Sequence, residues 1–266
     1  MNPENEKNET EKQWLWTDEY NVCSYEVDAN GKAPLTSICR FMQETAYLHA
    51  NHLEFGFDQL KTKNCFWVLF RLLIKMERYP AWREKVKIQT WPSGIDGLYA
   101  FRDFRFLDSE NKIIGCAATT WLILDSEKHR PQRPDGLKEL TSYFHNERSM
   151  NERPAKLSKP TTSESKPFSP VKYSDTDLYR HVNNAKYIQW ILDDYPLDIL
   201  NNYDVSEFEI NFVSEAKMGD EVAIETEKID HPSSSPEFLH CIHRKGDSRE
   251  VCLARAVWRP YFLVRK

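Results

Sequence analysis

Residues 174–194 read SDTDLYRHVNNAKYIQWILDD. From Val182 onward the apolar side chains fall at Val182, Ala185, Ile188, Ile191 and Leu192, the spacing of one helix face. Just upstream, Asp175, Asp177 and His181 crowd into one short turn, and Asn183 and Asn184 follow. The periodicity predicts a helix over about 181–193, capped by Asn183 or Asn184. The first turn of a helix leaves backbone N–H groups without acceptors, and its dipole favours negative charge there. Such donors can polarise a carbonyl and hold the oxyanion that forms on it. A carboxylate or imidazole alongside can activate water. Asp and Asn are also ordinary turn and cap residues, so spacing alone leaves the catalytic and the purely structural readings both open.

Working outward, the chain repeats itself. In the first half, SICRFMQETAYLHANHL (37–53) has helical spacing at Ile38, Phe41, Met42, Thr45 and Leu48. It is followed by a strand, a proline-bearing turn, a second strand, and a hairpin around Asp108–Lys112. In the second half the 174–194 helix is followed by strand, turn, strand, and a hairpin around Lys245–Arg249. REKVKIQT (83–90) aligns with GDEVAIET (219–226), and Trp121 with Trp258, at nearly equal offsets. This predicts two α+β units, each a long helix against a curved antiparallel sheet, with the two sheets joined edge to edge. The composition sets boundaries: a charged tail over 1–13, a first unit over 14–135, a connector over 136–165 and a second unit over 166–266. The prolines at 131, 134, 154, 160, 167 and 170 mark the connector region, with a short helix predicted over 135–144.

Composition excludes several function classes. Of 266 residues, 40% are hydrophobic, enough for a substantial core. The net charge of -5 argues against nucleic acid as a partner. No apolar run approaches the roughly 18 residues that span a bilayer. The N-terminal MNPENEKNETEKQW lacks the apolar stretch of a secretory signal and is too acidic for a transit peptide, so a cytoplasmic location of bacterial type is expected. The six cysteines form no Cys-x-x-Cys pair and no zinc spacing, which suits small buried side chains in a reducing compartment and predicts no metal. There is no phosphate-binding glycine loop, no Gly-x-Ser-x-Gly and no His-Glu-x-x-His, and no cofactor is expected.

SDTDLYRHVNNAKYIQWILD resembles the signature of the acyl-acyl-carrier-protein (acyl-ACP) thioesterases of plants and bacteria. CFWVLFRLLIKMERYPAWREKVKIQTW, GLYAFRDFRF and VSEAKMGDEV are similar to further stretches of that family, so the likeness runs through nearly the whole chain. The resemblance implies a tandem, or double, hotdog fold and hydrolysis of a fatty acyl-ACP thioester to free fatty acid and holo-ACP. A thioester is already electrophilic, so water can attack it without a covalent serine step. Asp177 and His181 match the motif's second aspartate and its histidine, and Glu215 matches the second-half glutamate. The cysteine beside that glutamate in plant members is Ala216 here. The motif's asparagine is Tyr179. Either Tyr179 or one of Asn183 and Asn184 takes over the amide's role, or the protein binds acyl thioesters without turning them over. The resemblance also implies that the first unit holds the acyl chain, with Phe41, Thr45, Trp67, Leu69 and Trp91 as candidate liners. Acyl carrier protein is the implied partner, EKHRPQRP and RYPAWREKVK are candidate basic patches for it, and a homodimer is an allowed state. The rival activities are an acyl-CoA thioesterase and a hotdog dehydratase. One difficulty comes with Glu215. Phe208, Ile210 and Phe212 alternate inward, which puts Glu215 on the opposite phase unless the strand bulges.

Overall fold

Strand alternation and turn chemistry account for most of the architecture. The computed structural model describes residues 14–133, 143–162, 164–178, 180–229 and 235–261. The first half runs β1 (Trp16–Asn21), α1 (Leu35–His52), α2 (Phe57–Thr62), β2 (Cys65–Met76), β3 (Lys85–Asp96), β4 (Tyr99–Leu107) and β5 (Ile113–Asp125). Three short strands follow, β6 (Pro131–Gln132), β7 (Glu164–Ser165) and β8 (Ser169–Pro170). The second half runs α3 (Asn184–Asp193), α4 (Leu197–Asn202), β9 (Tyr203–Phe212), β10 (Glu221–Ile229), β11 (Glu237–Arg244) and β12 (Glu250–Pro260).

The repeat is visible in the pairing. One 12-stranded antiparallel sheet has the order β1-β3-β4-β5-β2-β9-β12-β11-β10-β7. β2 to β5 and β9 to β12 therefore mirror each other about the β2–β9 junction, where Arg71 faces Asn211 and Lys75 faces Glu207. Each half covers an edge of the other's sheet, which removes two open ladders. The equivalent valines Val86 and Val222 are both buried, as the aligned turns require. Both hairpins sit where the sequence put them, at residues 108–112 and 245–249.

Each sheet curls around its helix. α1 buries Ile38, Phe41, Met42, Thr45, Ala46 and His49 on one face. α3 buries Ala185, Tyr187, Ile188 and Ile191. These meet Leu72, Ile74, Phe104, Phe106, Phe208 and Ile210 in one core. Each large apolar side chain so buried contributes about 1.5–3 kcal/mol. The arrangement is the double hotdog.

Two expectations need comment. The second helix begins at Asn184, three residues after the predicted start, because His181 and Val182 are extended and pair with Lys217 and Thr176. The short helix predicted over 135–144 falls mostly outside the described residues.

Candidate active site

The chain enters α3 through a tightly bonded loop. Asp175 is buried; its Oδ2 accepts the Lys172 N–H at 2.9 Å, and its Oδ1 lies 3.5 Å from Lys186 Nζ. The Asp177 N–H donates to the His181 carbonyl at 2.8 Å, and the Arg180 N–H donates to the Asp177 carbonyl at 3.0 Å. Arg180 closes this loop with φ +62°, a left-handed conformation that costs a non-glycine residue about 1–2 kcal/mol. The Val182 N–H then donates to the Ala216 carbonyl at 2.9 Å, which ties the loop to the segment carrying Glu215.

Asn183 is the cap. Its Oδ1 accepts the Ala185 N–H at 2.9 Å, its own N–H donates to the Asp175 carbonyl at 2.9 Å, and its Nδ2 reaches Gln43 of α1 at 3.4 Å. Asn184 is the first helical residue. Among the described residues nothing accepts from its N–H, which leaves one donor at the helix N-terminus.

Glu215 lies beyond the end of β9, in the loop before β10, so the strand phase does not govern its direction. The main chain of Glu215 and Ala216 is held from three sides. The Glu215 carbonyl accepts from Arg244 Nη1 at 2.9 Å. The Ala216 N–H donates to Tyr187 Oη at 3.1 Å, and the Ala216 carbonyl takes the Val182 N–H. The side chain that results is in place for chemistry: His181 Nε2 and Glu215 Oε2 are 3.3 Å apart. Their side chains are 22% and 35% exposed, so both groups reach solvent. Asp177 is half-buried in the same loop. A cleft of about 350 Å³ opens between α1 and α3, lined by Arg40, Gln43 and Glu44 on one side and Thr176, Asn183 and Lys186 on the other.

The structure therefore brings His181, Glu215, Asn183 and Asn184 together around the start of α3, with Asp177 four residues before His181. Tyr179 lies outside the described residues. Trp67 faces the helix side, where its Nε1 donates to the Phe55 carbonyl at 2.8 Å. Trp91, expected to line the interior, does not. It is fully buried on the other face of the sheet, its Nε1 donating to the Glu147 carbonyl at 2.7 Å with Arg105 over its ring. Strand alternation is the reason: Thr90 takes the inner position of β3, so its neighbour must point out. Tyr187 and Arg244 were missed as supports of the Glu215 loop. Tyr187 stands in the quoted stretch next to Ile188 of the apolar stripe; no sequence signal singles out Arg244.

Burial drives the Tyr187 phenol well above its ordinary range, so the hydroxyl stays protonated while its oxygen accepts from Ala216. Among the described residues one group gathers three metal-binding types, Glu225, Cys241 and His243, with ligand atoms within 4.8 Å of one another. Burial pushes the Cys241 thiol up to about 12, so a metal would first have to displace its proton. The basic stretch at 78–87 is largely neutralised internally: Arg78 pairs with Glu84 and Asp108, and Lys85 with Glu19. Among the described residues no helix is long and apolar enough to cross a membrane.

Comparison with known proteins agrees with this geometry. The family model for the acyl-ACP thioesterase N-terminal domain matches residues 13–139, and that for the acyl-ACP thioesterase C-terminal domain matches 157–260. The chloroplastic palmitoyl-acyl carrier protein thioesterase of Gossypium hirsutum is 29% identical over 267 residues, covering 92% of this chain. The match spans 64% of that relative, just under two thirds of its length. The crystal structure of an acyl-ACP thioesterase from Bacteroides thetaiotaomicron superposes with a TM-score of 0.84 at 28% identity, covering 92% of this chain and 98% of the other. The 12:0-ACP thioesterase from Umbellularia californica has the same fold, with a TM-score of 0.84 at 23% identity and coverage of 94% and 95%.

Proposed function

Because this chain belongs to the acyl-ACP thioesterase family, we propose that it hydrolyses the thioester of a fatty acyl-ACP, releasing free fatty acid and holo-ACP and so ending fatty acid synthesis. The observation that carries this is the 3.3 Å approach of His181 Nε2 to Glu215 Oε2 beside the N-terminus of α3. Glu215 takes a proton from water as the water oxygen attacks the thioester carbonyl carbon. His181 orients the water and the carboxylate, and Asp177 fixes the imidazole. The N–H of Asn184 donates to the oxyanion as it forms. The tetrahedral intermediate then collapses, the C–S bond breaks, and the thiolate leaves with the proton held by the Glu215–His181 pair. Ala216 supplies no nucleophile, which fits direct attack by water. With the Asn183 side chain committed to the helix cap, Asn184 and Tyr179 are the residues left for the motif amide's role.

The division of labour follows the repeat. The second unit, 166–266, carries the chemistry, and the first, 14–135, holds the acyl chain. Arg40, Lys172, Arg180 and Lys217 are exposed around the loop and cleft. On a protein of net charge -5 they offer a local attraction to an acidic carrier protein. Six unpaired cysteines suit a cytoplasmic setting. Self-association into a homodimer belongs to the same proposal and is read by light scattering. The test of substrate class is thiol release from matched acyl-ACP and acyl-CoA thioesters. A kcat/KM at least tenfold higher for the carrier-protein series, falling with added salt, is the expected result. Equal rates with CoA would replace the carrier protein as partner, and binding without release would make this a non-catalytic hotdog.

A further inference from the structure

The two units differ in what fills the space between helix and sheet. In the second, Tyr195 closes it, ringed by Phe238, His240 and Trp258 at centroid distances of 4.9, 5.3 and 4.6 Å, all of them buried. The repeat gives the first-unit counterparts. Thr90 pairs with Phe104 as Thr226 pairs with His240, so Arg102 occupies the place of Phe238, and Trp121 that of Trp258. Both Arg102 and Trp121 sit on the helix side of the sheet, yet both stay partly accessible.

Arg102 is an unusual group to find there. Its Nη1 lies 3.0 Å from His49 Nδ1 on α1 and donates to Thr90 Oγ1 at 3.2 Å. Among the described residues its Nη2 and Nε donate to nothing, and no carboxylate pairs with it. Burial pulls its guanidinium down only to about 10, so it remains a cation at neutral pH. His49 stands six residues beyond Gln43, which touches Asn183 at the cleft; along a helix that is about 9 Å. A chain entering beside Gln43 and running along α1 between helix and sheet thus meets a charged, hydrogen-bonding surface.

We propose that Arg102 is the specificity-determining residue of the acyl slot, a polar end wall that stops methyl-ended chains and accepts a chain end bearing a hydroxyl. This rests on the reading of the first unit as the acyl-chain site. An apolar terminus pressed against a guanidinium gains nothing from burial and strips the cation of water. A hydroxyl terminus supplies the oxygen that Nη2 and Nε lack.

The test uses the full chain and two ligand series, straight saturated fatty acids and their ω-hydroxy counterparts of graded length, with binding read by tryptophan fluorescence and hydrolysis by thiol release from the matching acyl-ACPs. The wild-type protein should show a sharp length limit for methyl-ended chains, and beyond it the ω-hydroxy chain should bind on the order of tenfold tighter, about the worth of one or two buried methylenes. Arg102→Met should move the methyl-ended limit outward by about two carbons and abolish the hydroxyl advantage. Removing a cation that pairs with no carboxylate strands no buried charge and should not unfold the protein, and the wild-type comparison of the two series needs no variant. Identical profiles for both series in the wild-type protein, or an unchanged limit in Arg102→Met, would overturn the proposal. If the limit moves but no acyl-ACP is cleaved, the end wall stands and the hydrolase reading falls. If acyl-ACP is cleaved with no limit that Arg102 controls, the reverse holds.

Discussion

Replacing Tyr187 with phenylalanine isolates the support of the catalytic loop from the chemistry itself. Tyr187 is 3% exposed, and its ring packs edge-on against Trp190 and Phe212 at 5.3 and 5.9 Å. Tyr187→Phe keeps those contacts and removes one oxygen. The Ala216 N–H, fully buried, then loses its acceptor. An unsatisfied buried donor costs about 1–3 kcal/mol, and a chain of this size loses roughly 2–4 °C in Tm per kcal/mol. A fall of about 2–12 °C is therefore expected. The larger consequence concerns Glu215, because the Glu215–Ala216 peptide then keeps only the Arg244 contact on its carbonyl, with the Ala216 carbonyl still held by Val182. A general base displaced by a fraction of an ångström from its 3.3 Å approach to His181 should lower kcat about tenfold, with KM nearly unchanged because the acyl slot is untouched. Differential scanning fluorimetry and thiol release from acyl-ACP measure the two effects on one preparation. A variant whose Tm falls while kcat holds would show that Glu215 does not depend on this anchor, and the geometric account of the site would be wrong.

Two further outcomes follow from buried polar groups. His240 is sealed between Tyr195 Oη at 2.6 Å and Thr226 Oγ1 at 3.0 Å, and burial pulls it from 6.5 to about 3. The folded protein keeps this ring neutral while the unfolded chain takes up a proton below pH 6.5. Stability is thus full above about pH 6.5 and falls as the pH drops toward 3, by about 1.4 kcal/mol per unit. Urea melts should show a loss of about 2 kcal/mol between pH 6.5 and 5 that His240→Gln removes; an unchanged slope would assign the acid sensitivity elsewhere. On the opposite face of the first sheet, Asp103 is fully buried. It takes Arg153 Nη1 at 2.7 Å, the Ser149 N–H and Oγ at 2.9 and 2.8 Å, and the Ser93 hydroxyl. Asp103→Ala leaves the guanidinium of Arg153 facing a dry site and should cost about 3–5 kcal/mol in urea; a loss under 1 kcal/mol would mean that the connector does not rely on it.

The fold was legible because its signals are local and repeated. Val86 against Val222 and Trp121 against Trp258 locate the duplication, and the two hairpins are set by short polar turns. Helix periodicity located α1 and α3 but not the first turn of α3, since Val182 continues the apolar stripe while its backbone is already paired with residues 216 and 176. That pairing is long-range, and no spacing within 174–194 reveals it. The likeness of residues 213–222 to the family's turn assigned Glu215, whereas strand phase argued against it; phase fails there because β9 ends at Phe212. Trp91 shows the opposite error. An aromatic residue beside an expected pocket reads as a liner, though Thr90 next to it holds the inner position. Arg244 and Arg102 could not be read at all, because a lone arginine in a strand becomes informative only when the sheet shows what it faces.

The claim that Glu215 and His181 cleave the thioester is tested most directly by Glu215→Gln, which keeps the side chain's size and its loop contacts. Turnover of acyl-ACP is measured by thiol release under saturating substrate, with Tm as the control for folding. Loss of the base should lower kcat by about 10²–10⁴-fold at an unchanged Tm. Near-normal turnover in the folded variant would contradict the account and leave His181 without its proposed partner.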